Sequence, residues 1–209
     1  MMRRKLLLII FLIQAVSASG KMPDNWFFNH FRIGAEWGYS QCFYRGWSYN
    51  FISEEGSRFY EDTRGTHWKS NGIFLAQVGT NLNQDRFNLA VLSGYIGVGR
   101  NNQLIPFQLR FSYFPQTAVE DGGFAFVQGG PAIHIFPRNG NLAWLGSLGG
   151  GYRLTLTSDC NLDLIAGVKL LYDHPLIPNP EGPGYVPGRN IRSNSAIYCA
   201  LDLTIAVNF

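Results

Sequence analysis

An acid, a histidine and two serines near the end of the chain could together carry acyl-transfer chemistry. Asp173 and His174 are adjacent, and Ser193 and Ser195 follow about twenty residues later. A histidine beside a carboxylate can act as a general base toward a serine hydroxyl when the fold brings the side chains together. The candidate catalytic residues are therefore Asp173, His174 and Ser195. The alternative is that His174 is simply a solvated loop residue.

A second set of charged residues is spread along the chain, at positions that alternate with apolar neighbours. The set carries both signs in near balance: Arg32, Glu36, Arg110, Arg153, Asp163, Lys169 and Asp202. Alternate residues of a strand point to the same face of a sheet, so these side chains are predicted to share one enclosed face. Buried charges are costly unless paired. We interpret the set as an ion-pair network that fills the enclosed space, with a narrow path for a small solute as the alternative.

The elements that must position these residues are strands. The chain has 24 glycines, 15% aromatic residues and recurrent apolar–polar alternation. This combination is typical of strands separated by turns. The alternation predicts eight strands, at residues 31–43, 73–82, 87–98, 105–113, 124–135, 142–156, 162–173 and about 195–209.

The predicted connections differ in length between the two ends of the sheet. Long polar or proline-rich segments follow the first and seventh strands, at residues 44–71 and 174–194, whereas residues 83–86 and 157–161 form short turns. Long loops on one end and mostly short turns on the other are typical of a barrel threaded through a membrane. The segment 44–71 is rich in aromatic and charged residues, and we interpret it as an extracellular loop that could bind a glycan or a protein.

The apolar face of the strands decides between a soluble and a membrane barrel. A soluble sandwich or lipocalin-like barrel would turn this face inward. Here the apolar face carries aromatic residues toward the strand ends, as in the aromatic girdles of membrane barrels: Trp37, Tyr39, Tyr113, Trp144, Tyr152, Tyr172 and Phe209. The prediction is an all-β fold, a single closed antiparallel eight-stranded transmembrane β-barrel.

The first residues of the chain have the pattern of an export signal. A basic start at residues 3–5 is followed by the apolar run 6–13 and by small residues near Ala18. This pattern predicts a cleaved signal peptide at residues 1–18 and a barrel domain at 19–209. The full chain has 17 Lys and Arg against 14 Asp and Glu, and three of the basic residues belong to the signal. The remaining chain is formally neutral, which argues against nucleic-acid binding through a positive field.

The final strand, "LDLTIAVNF" at residues 201–209, alternates without a break up to Phe209. With the signal peptide and the even number of amphipathic strands, it resembles the small outer-membrane β-barrel proteins of Gram-negative bacteria, which are porin-like in architecture. The resemblance implies location in the outer membrane, contact with its lipids, and recognition of Phe209 by the outer-membrane assembly machinery. It names no activity.

The resemblance also supplies the main alternative function. Some small barrels of this kind modify lipid A or phospholipids with a histidine and a serine at the rim, and the deacylases carry His-x-Ser on one strand. Here the sequence at that point is His174-Pro175-Leu176, which departs from the pattern. We therefore expect a structural or surface-interaction protein with a plugged lumen, no cofactor and no metal. The three cysteines, Cys42, Cys160 and Cys199, fit no metal motif and are expected to be unpaired because Cys42 and Cys199 face opposite sides of the sheet.

Overall fold

The chain folds into one antiparallel sheet of eight strands that closes in a ring. The computed structural model describes residues 31–99, 102–136, 142–157 and 159–209. The predicted signal peptide, residues 1–18, lies outside the described residues. Each strand pairs with the next, and the first pairs with the last. The strands are β1 (Arg32–Ile52), β2 (Arg58–Leu82), β3 (Phe87–Val98), β4 (Asn102–Tyr113), β5 (Gly122–His134), β6 (Ala143–Thr157), β7 (Cys160–Asp173) and β8 (Ile191–Asn208).

The prediction of an all-β fold built on one closed antiparallel sheet of eight strands is confirmed. The predicted bounds of β3 are those observed, and the predicted bounds of β4, β5, β6 and β7 lie within three residues of the observed ones. The only helical element in the described ranges is the 3-10 turn Gly188–Asn190. None of the described residues form a helix long and apolar enough to cross a membrane.

The prediction of a long loop at residues 44–71 is wrong. β1 continues to Ile52 and β2 begins at Arg58, so these residues form a β-hairpin whose register is unbroken from Tyr44–Thr66 to Ile52–Arg58. The turn is tight: Ser53 N–H donates to Ser57 O at 2.8 Å, and Gly56 takes a positive φ of 87°. Glycine adopts that conformation without steric cost. β8 also begins earlier than predicted, at Ile191, which shortens the preceding connection to residues 174–190.

A β-bulge explains why this hairpin was missed. The register of β1 shifts between Cys42 and Tyr44 against both of its neighbours. A bulge adds one residue to a strand and exchanges its two faces. Odd-numbered residues of β1 such as Trp37 face outward before the bulge. After it Trp47 and Phe51 face inward, where they pack in a cluster with Ile177 and Val186.

The two faces of the sheet differ sharply in composition. The outer face exposes large apolar side chains on every strand; on β4, for example, Ile105, Phe107, Leu109, Phe111 and Tyr113 are exposed. The residues between them, including Gln108, Arg110 and Ser112, are buried inside the ring. The alternation therefore places polar residues inside and apolar residues outside on this strand, the inverse of a soluble sheet.

Candidate functional site

The enclosed interior is the part of the molecule where polar side chains are brought together. We call the end with the β1–β2 and β7–β8 connections the hairpin end, and the opposite end, which holds the chain's last residue, the turn end. The interior toward the hairpin end is an apolar layer of Cys42, Ile73, Leu75, Ala90, Leu92, Ile96, Val98, Leu104, Ala132, Ala143, Leu145, Leu171, Ala196, Tyr198 and Ala200. Toward the turn end lies an ion-pair layer that contains the charged residues predicted to face inward.

The first pair of the ion-pair layer joins β4 to β1. Arg110 Nη1 lies 2.8 Å from Glu36 Oε2, and only 5% and 4% of the two side chains are exposed. Glu36 Oε1 also accepts a hydrogen bond from the Thr204 hydroxyl at 2.7 Å. Arg110 Nε donates to Gln128 Oε1 at 2.6 Å. The pair therefore has neutral partners on β5 and β8, and such partners are what offset the cost of desolvating both charges.

The second pair is bidentate. Arg153 on β6 donates from Nε and Nη2 to the two carboxylate oxygens of Asp163 on β7, each at 2.7 Å. The remaining Arg153 nitrogen, Nη1, donates to the Ala118 carbonyl at 2.5 Å, which ties the β4–β5 connection to the interior. Asn208 Nδ2 donates to Asp163 at 2.8 Å, and Gln77 in turn donates to Asn208. Bidentate arginine–carboxylate pairs combine strength with fixed geometry.

The third pair lies at the border with the apolar layer. Lys169 Nζ lies 2.8 Å from Asp202 Oδ2, and the lysine side chain is only 1% exposed. Ser40 donates to the other oxygen of Asp202 at 2.7 Å. Arg32 differs from the other predicted members: it lines a small interior cavity at the turn end together with Arg110 and Arg153, but no carboxylate within the described ranges forms an ion pair with it.

Aromatic rings fill the space around the two arginines. Arg110 lies over the Phe126 ring at 4.8 Å, and Arg153 lies over the Phe114 ring at 4.5 Å. Cation–π contacts of this kind strengthen where water is excluded. Glycines on β6 and β7 make room for the rings: a Cβ atom on Gly151 would lie 2.6 Å from Phe124. Any larger residue at Gly151 must displace the ring and also the backbone carbonyl of Leu164, whose oxygen would lie 2.5 Å from that Cβ atom.

Connecting segments of the chain pack over both ends of the interior. At the hairpin end, Ile177 and Val186 of the 174–190 connection pack on Phe51. At the turn end, Phe114 and Ala118 of the β4–β5 connection pack in a cluster with Phe124, Phe126, Ile165 and Ala206. The cavity between the ion pairs has a volume of about 30 Å³. A space of that size holds one or two water molecules rather than a solute.

The candidate catalytic residues are not brought together. Asp173 faces inward and its Oδ1 lies 2.8 Å from His134 Nε2, so its partner is His134 instead of the ring of His174. The same oxygen accepts the backbone N–H of His174 at 2.7 Å. The His174 ring packs edge-on against Tyr172, which is on the outer face. Ser195 is directly opposite Ser48 in the register of β1 and β8, next to the inward-facing Ala196, so it lies on the opposite face from Asp173.

Phe209 lies at the turn end, one residue beyond β8. Its N–H donates to Ile33 O at 2.8 Å, and Ile33 N–H donates to Phe209 O at 3.0 Å. The C-terminal residue is therefore part of the pairing that closes β8 on β1. The three cysteines are all thiols, and Cys42 is buried inside the ring.

The neutral members of the ion-pair layer were missed by the sequence analysis. Gln77, Thr204, Asn208 and Ser40 all lie on the inner face and complete the coordination of the charges. Their alternation with apolar residues, in phase with the charged positions, was the available signal. The pairing of His134 with Asp173 was also missed. No group of three or more His, Cys, Asp or Glu side chains in the described part of the chain is arranged to hold a metal ion.

A further polar contact lies on the hairpin formed by β1 and β2. The Tyr49 hydroxyl donates a hydrogen bond to Glu61, and Thr63 donates to the other Glu61 oxygen at 2.8 Å. Desolvation, followed by the contact with Glu61, raises the pKa of Tyr49 to about 12. The hydrogen bond from Tyr49 lowers the pKa of Glu61.

Comparison with known proteins gives no family. No protein-family model matches the chain, and no curated protein matches it. Among solved structures, the chain is weakly similar to the InvG secretin domain β-barrel from the Salmonella SPI-1 injectisome, with 8% identity and a TM-score of 0.18. The alignment covers 97% of this chain and 66% of that one. A second match, to InvG residues 176 to the end in the open gate state, has 10% identity, a TM-score of 0.15 and coverage of 99% and 64%.

Proposed function

We propose that the protein is an outer-membrane β-barrel whose lumen is plugged by its own side chains, with a structural or surface-interaction role. The observation that carries the proposal is the outer face of the closed sheet, which exposes large apolar side chains on strand after strand. A soluble monomer rarely exposes an apolar surface of that extent. Within the closed ring each strand is paired on both sides, which satisfies the backbone hydrogen bonds there as lipid requires.

The height of the apolar face fits a membrane. On β4 the exposed apolar residues run from Ile105 to Tyr113, a distance of about 27 Å at the usual rise per residue. With the strand tilt of membrane barrels, this corresponds to about 20 Å along the membrane normal, close to the apolar band of known barrels. Aromatic residues are exposed on this face: Trp37, Tyr39, Tyr113, Trp144, Tyr152 and Tyr172. They are suited to the membrane–water interface.

The filled interior supports a plugged lumen over a solute path. The ion-pair layer holds three ion pairs, an apolar layer follows, and connecting segments pack over both ends. The interior cavity lined by Arg32, Arg110 and Arg153, about 30 Å³, is too small to hold a solute. The purified protein is expected to give no single-channel conductance in a planar bilayer. Steady channel openings would contradict the plugged lumen without contradicting the barrel.

Membrane insertion is tested by fractionation and gel mobility. The protein is expected in the outer-membrane fraction, and the unboiled sample is expected to migrate differently from the boiled sample because the closed sheet resists unfolding by detergent. Recovery in the soluble fraction, with a single mobility before and after boiling, would end the proposal. Incubation with lipid A or phospholipid is expected to leave the acyl chains intact, since Asp173 and Ser195 lie on opposite faces of the sheet.

The role of Phe209 in assembly is tested by substitution. Phe209→Asp retains the backbone pairing with Ile33 and removes the aromatic side chain. We expect less protein in the outer membrane, because both the proposed recognition residue and an interfacial anchor are lost. Phe209→Tyr is the control and should reach wild-type levels. Equal membrane levels of the Asp variant and the wild type would exclude Phe209 as an assembly signal.

A further inference from the structure

One edge of the sheet is left open where the β1–β2 hairpin extends beyond the ring. β2 pairs with β1 from Arg58 onward, but its pairing with β3 starts only at Ile73. Between Arg58 and Thr66, no described residue pairs with β2 on the side away from β1. An unpaired edge presents a row of backbone N–H and C=O groups to any strand that can align with it.

This edge lacks two of the usual protections against pairing, a proline and a β-bulge. The segment from Arg58 to Thr66 contains no proline, and its register with β1 has no bulge. Every residue in it except Phe59 is exposed. Charged side chains, lysine above all, protect many natural edges, and charges of one sign repel a second copy. Here both signs are present: on the face of the strand that carries the even-numbered residues, Arg58, Asp62 and Arg64 alternate in sign, and Asp62 and Arg64 form an ion pair at 3.0 Å.

The alternation makes the edge complementary to itself. If two copies of β2 pair antiparallel about a two-fold axis at Thr63, Asp62 of each copy is opposite Arg64 of the other. Tyr60 is then opposite Thr66, and Glu61 is opposite Gly65. Each carboxylate of Asp62 would lie between two guanidinium groups, one from its own chain and one from the second copy. Opposite charges across a strand pair stabilise it, whereas like charges destabilise it.

The neighbouring registers are less favourable. An axis at Asp62 or at Arg64 would place two identical charges opposite each other. An axis at Gly65 would extend the pairing past Thr66 to His67 and beyond, where Gly99 already lies beside β2. Asn71 donates to the Gly99 carbonyl at 2.9 Å, and a Cβ atom on Gly99 would be 3.3 Å from His67. The register centred on Thr63 uses only the open part of the edge.

We propose that the edge Arg58–Thr66 binds a second copy of this chain, as a symmetric antiparallel strand pair centred on Thr63. The two-fold axis is perpendicular to the strands, so the two closed sheets point in opposite directions. Resting on the proposed membrane location, the pair would join copies in two facing membranes instead of neighbours in one. The surface-interaction role then becomes self-recognition between two cell surfaces.

The pairing itself is tested by oxidative crosslinking of the full chain in detergent solution, which does not depend on the membrane location. In a Cys160→Ser, Cys199→Ser background, Thr63→Cys should give a disulfide-linked dimer, because residues opposite each other on the axis have Cβ atoms about 5 Å apart. Thr66→Cys is the matched control on the same exposed strand. Its counterpart in the second copy would be six residues away along the strand, about 20 Å, so it should not crosslink. Equal crosslinking of both variants, or none at Thr63, would overturn the pairing.

Charge variants test the register and the second copy together. Asp62→Arg alone and Arg64→Asp alone each remove the pair within the chain and oppose like charges across the axis. We expect the Thr63→Cys crosslink to fall about tenfold in either variant. A mixture of the two variants should restore it as a heterodimer, since the two arginines of one copy then face the two aspartates of the other. Restoration on mixing cannot come from the contact within the chain; a mixture that stays as poorly crosslinked as its components would overturn the register.

The opposed orientation is tested with two populations of vesicles, one carrying the Asp62→Arg variant and the other the Arg64→Asp variant. Light scattering should rise only when the populations are mixed, and neither population should cluster alone. Crosslinking in detergent without clustering of the mixed vesicles would overturn the contact between facing membranes and leave the strand pair standing. Clustering of each population by itself would point to another partner surface and overturn the charge register.

Discussion

The same interaction, an arginine with a carboxylate, occurs in two regions of this molecule with opposite surroundings. Inside the ring, Arg110 and Glu36 are 5% and 4% exposed and are 2.8 Å apart. On the hairpin, Arg64 and Asp62 are 69% and 29% exposed and are 3.0 Å apart. The distances are similar, so geometry does not distinguish the pairs. What differs is the solvent: removing one partner inside leaves a desolvated charge, whereas removing one outside leaves a hydrated charge.

Ion pairs in this protein therefore have different roles inside the ring and on the β1–β2 hairpin. The interior pairs fill a narrow enclosed space whose inward positions cannot all be apolar. They are surrounded by neutral donors and acceptors, such as Thr204 and Gln128, that complete their hydrogen bonding. The hairpin pair has no such shell, and in our proposal its charges are available to a second copy.

The largest effect is expected at the bidentate interior pair. Asp163→Ala removes both carboxylate contacts of Arg153 and the acceptor of Asn208. Because the guanidinium stays buried, the free energy of unfolding should fall by about 3–5 kcal/mol. Urea unfolding of the refolded protein in detergent measures the change. A loss below about 1 kcal/mol would mean that water reaches Arg153, and would remove the contrast with the hairpin pair.

A double variant separates the cost of an unpaired charge from the value of the pair. Arg110→Ala should lower the free energy of unfolding by about 3 kcal/mol, since Glu36 is left buried without its cation. Replacing both partners, Arg110→Met with Glu36→Leu, should recover most of that loss, because neither charge then needs a partner. The same unfolding assay compares the single and double variants. A double variant as unstable as Arg110→Ala would show that the pair itself contributes net stability.

The exposed pair is expected to contribute little to the stability of the single chain. Arg64→Ala should leave the free energy of unfolding close to that of the wild type, since the charges of the pair are hydrated and screened. The measurement is made at low protein concentration, where self-association does not contribute. A loss comparable with that of Arg110→Ala would contradict the view that burial, and not the partner, sets the effect.

The smallest effect concerns protonation on the hairpin. The pKa of Tyr49 is raised to about 12 by desolvation and by Glu61, so its phenol should ionise later than an exposed tyrosine. The difference between the absorbance titrations of the wild type and Tyr49→Phe should show one tyrosinate that forms near pH 12. The sign follows from the raised pKa: this contact stabilises the hairpin fully below pH 10, and the stabilisation is lost as the pH rises through 12. In Glu61→Gln the same titration should move to lower pH, and an unchanged midpoint would assign the shift to desolvation alone.

Sequence alone predicted much of the fold, because successive side chains of a strand point to opposite faces and alternating apolar and polar residues therefore identify the two faces. The faces of β4, β6 and β7 were predicted from positions such as Arg110, Arg153 and Lys169, and each lies inside the ring. The hairpin at residues 44–71 was missed for a physical reason. The bulge after Cys42 moves odd-numbered residues from the outer face to the inner face, so one continuous strand shows two opposite patterns.

The candidate site was predictable only in outline. Inward-facing charges of both signs can be recognised from their spacing, but their partners depend on which strands are neighbours at each height. Glu36 pairs with Arg110, three strands away along the chain, and that contact exists only because the ring is closed and narrow. The proximity of Asp173 and His174 in sequence suggested a catalytic pair. The Asp173 carboxylate instead faces inward to His134, whereas the His174 ring, just past the end of β7, packs against the outward-facing Tyr172.

The sequence by itself determined that the chain forms strands, how many there are and which face of most of them is polar. These properties depend on the two-residue period of apolar and polar residues and on the composition of the turns. The tertiary structure alone decided three things: the partner of each buried charge, the apolar layer that separates the ion pairs from the hairpin end, and the open edge at Arg58–Thr66. Each of these depends on the register between strands far apart in the chain. Register is fixed by closure of the ring and by the bulge, and neither can be read from local spacing.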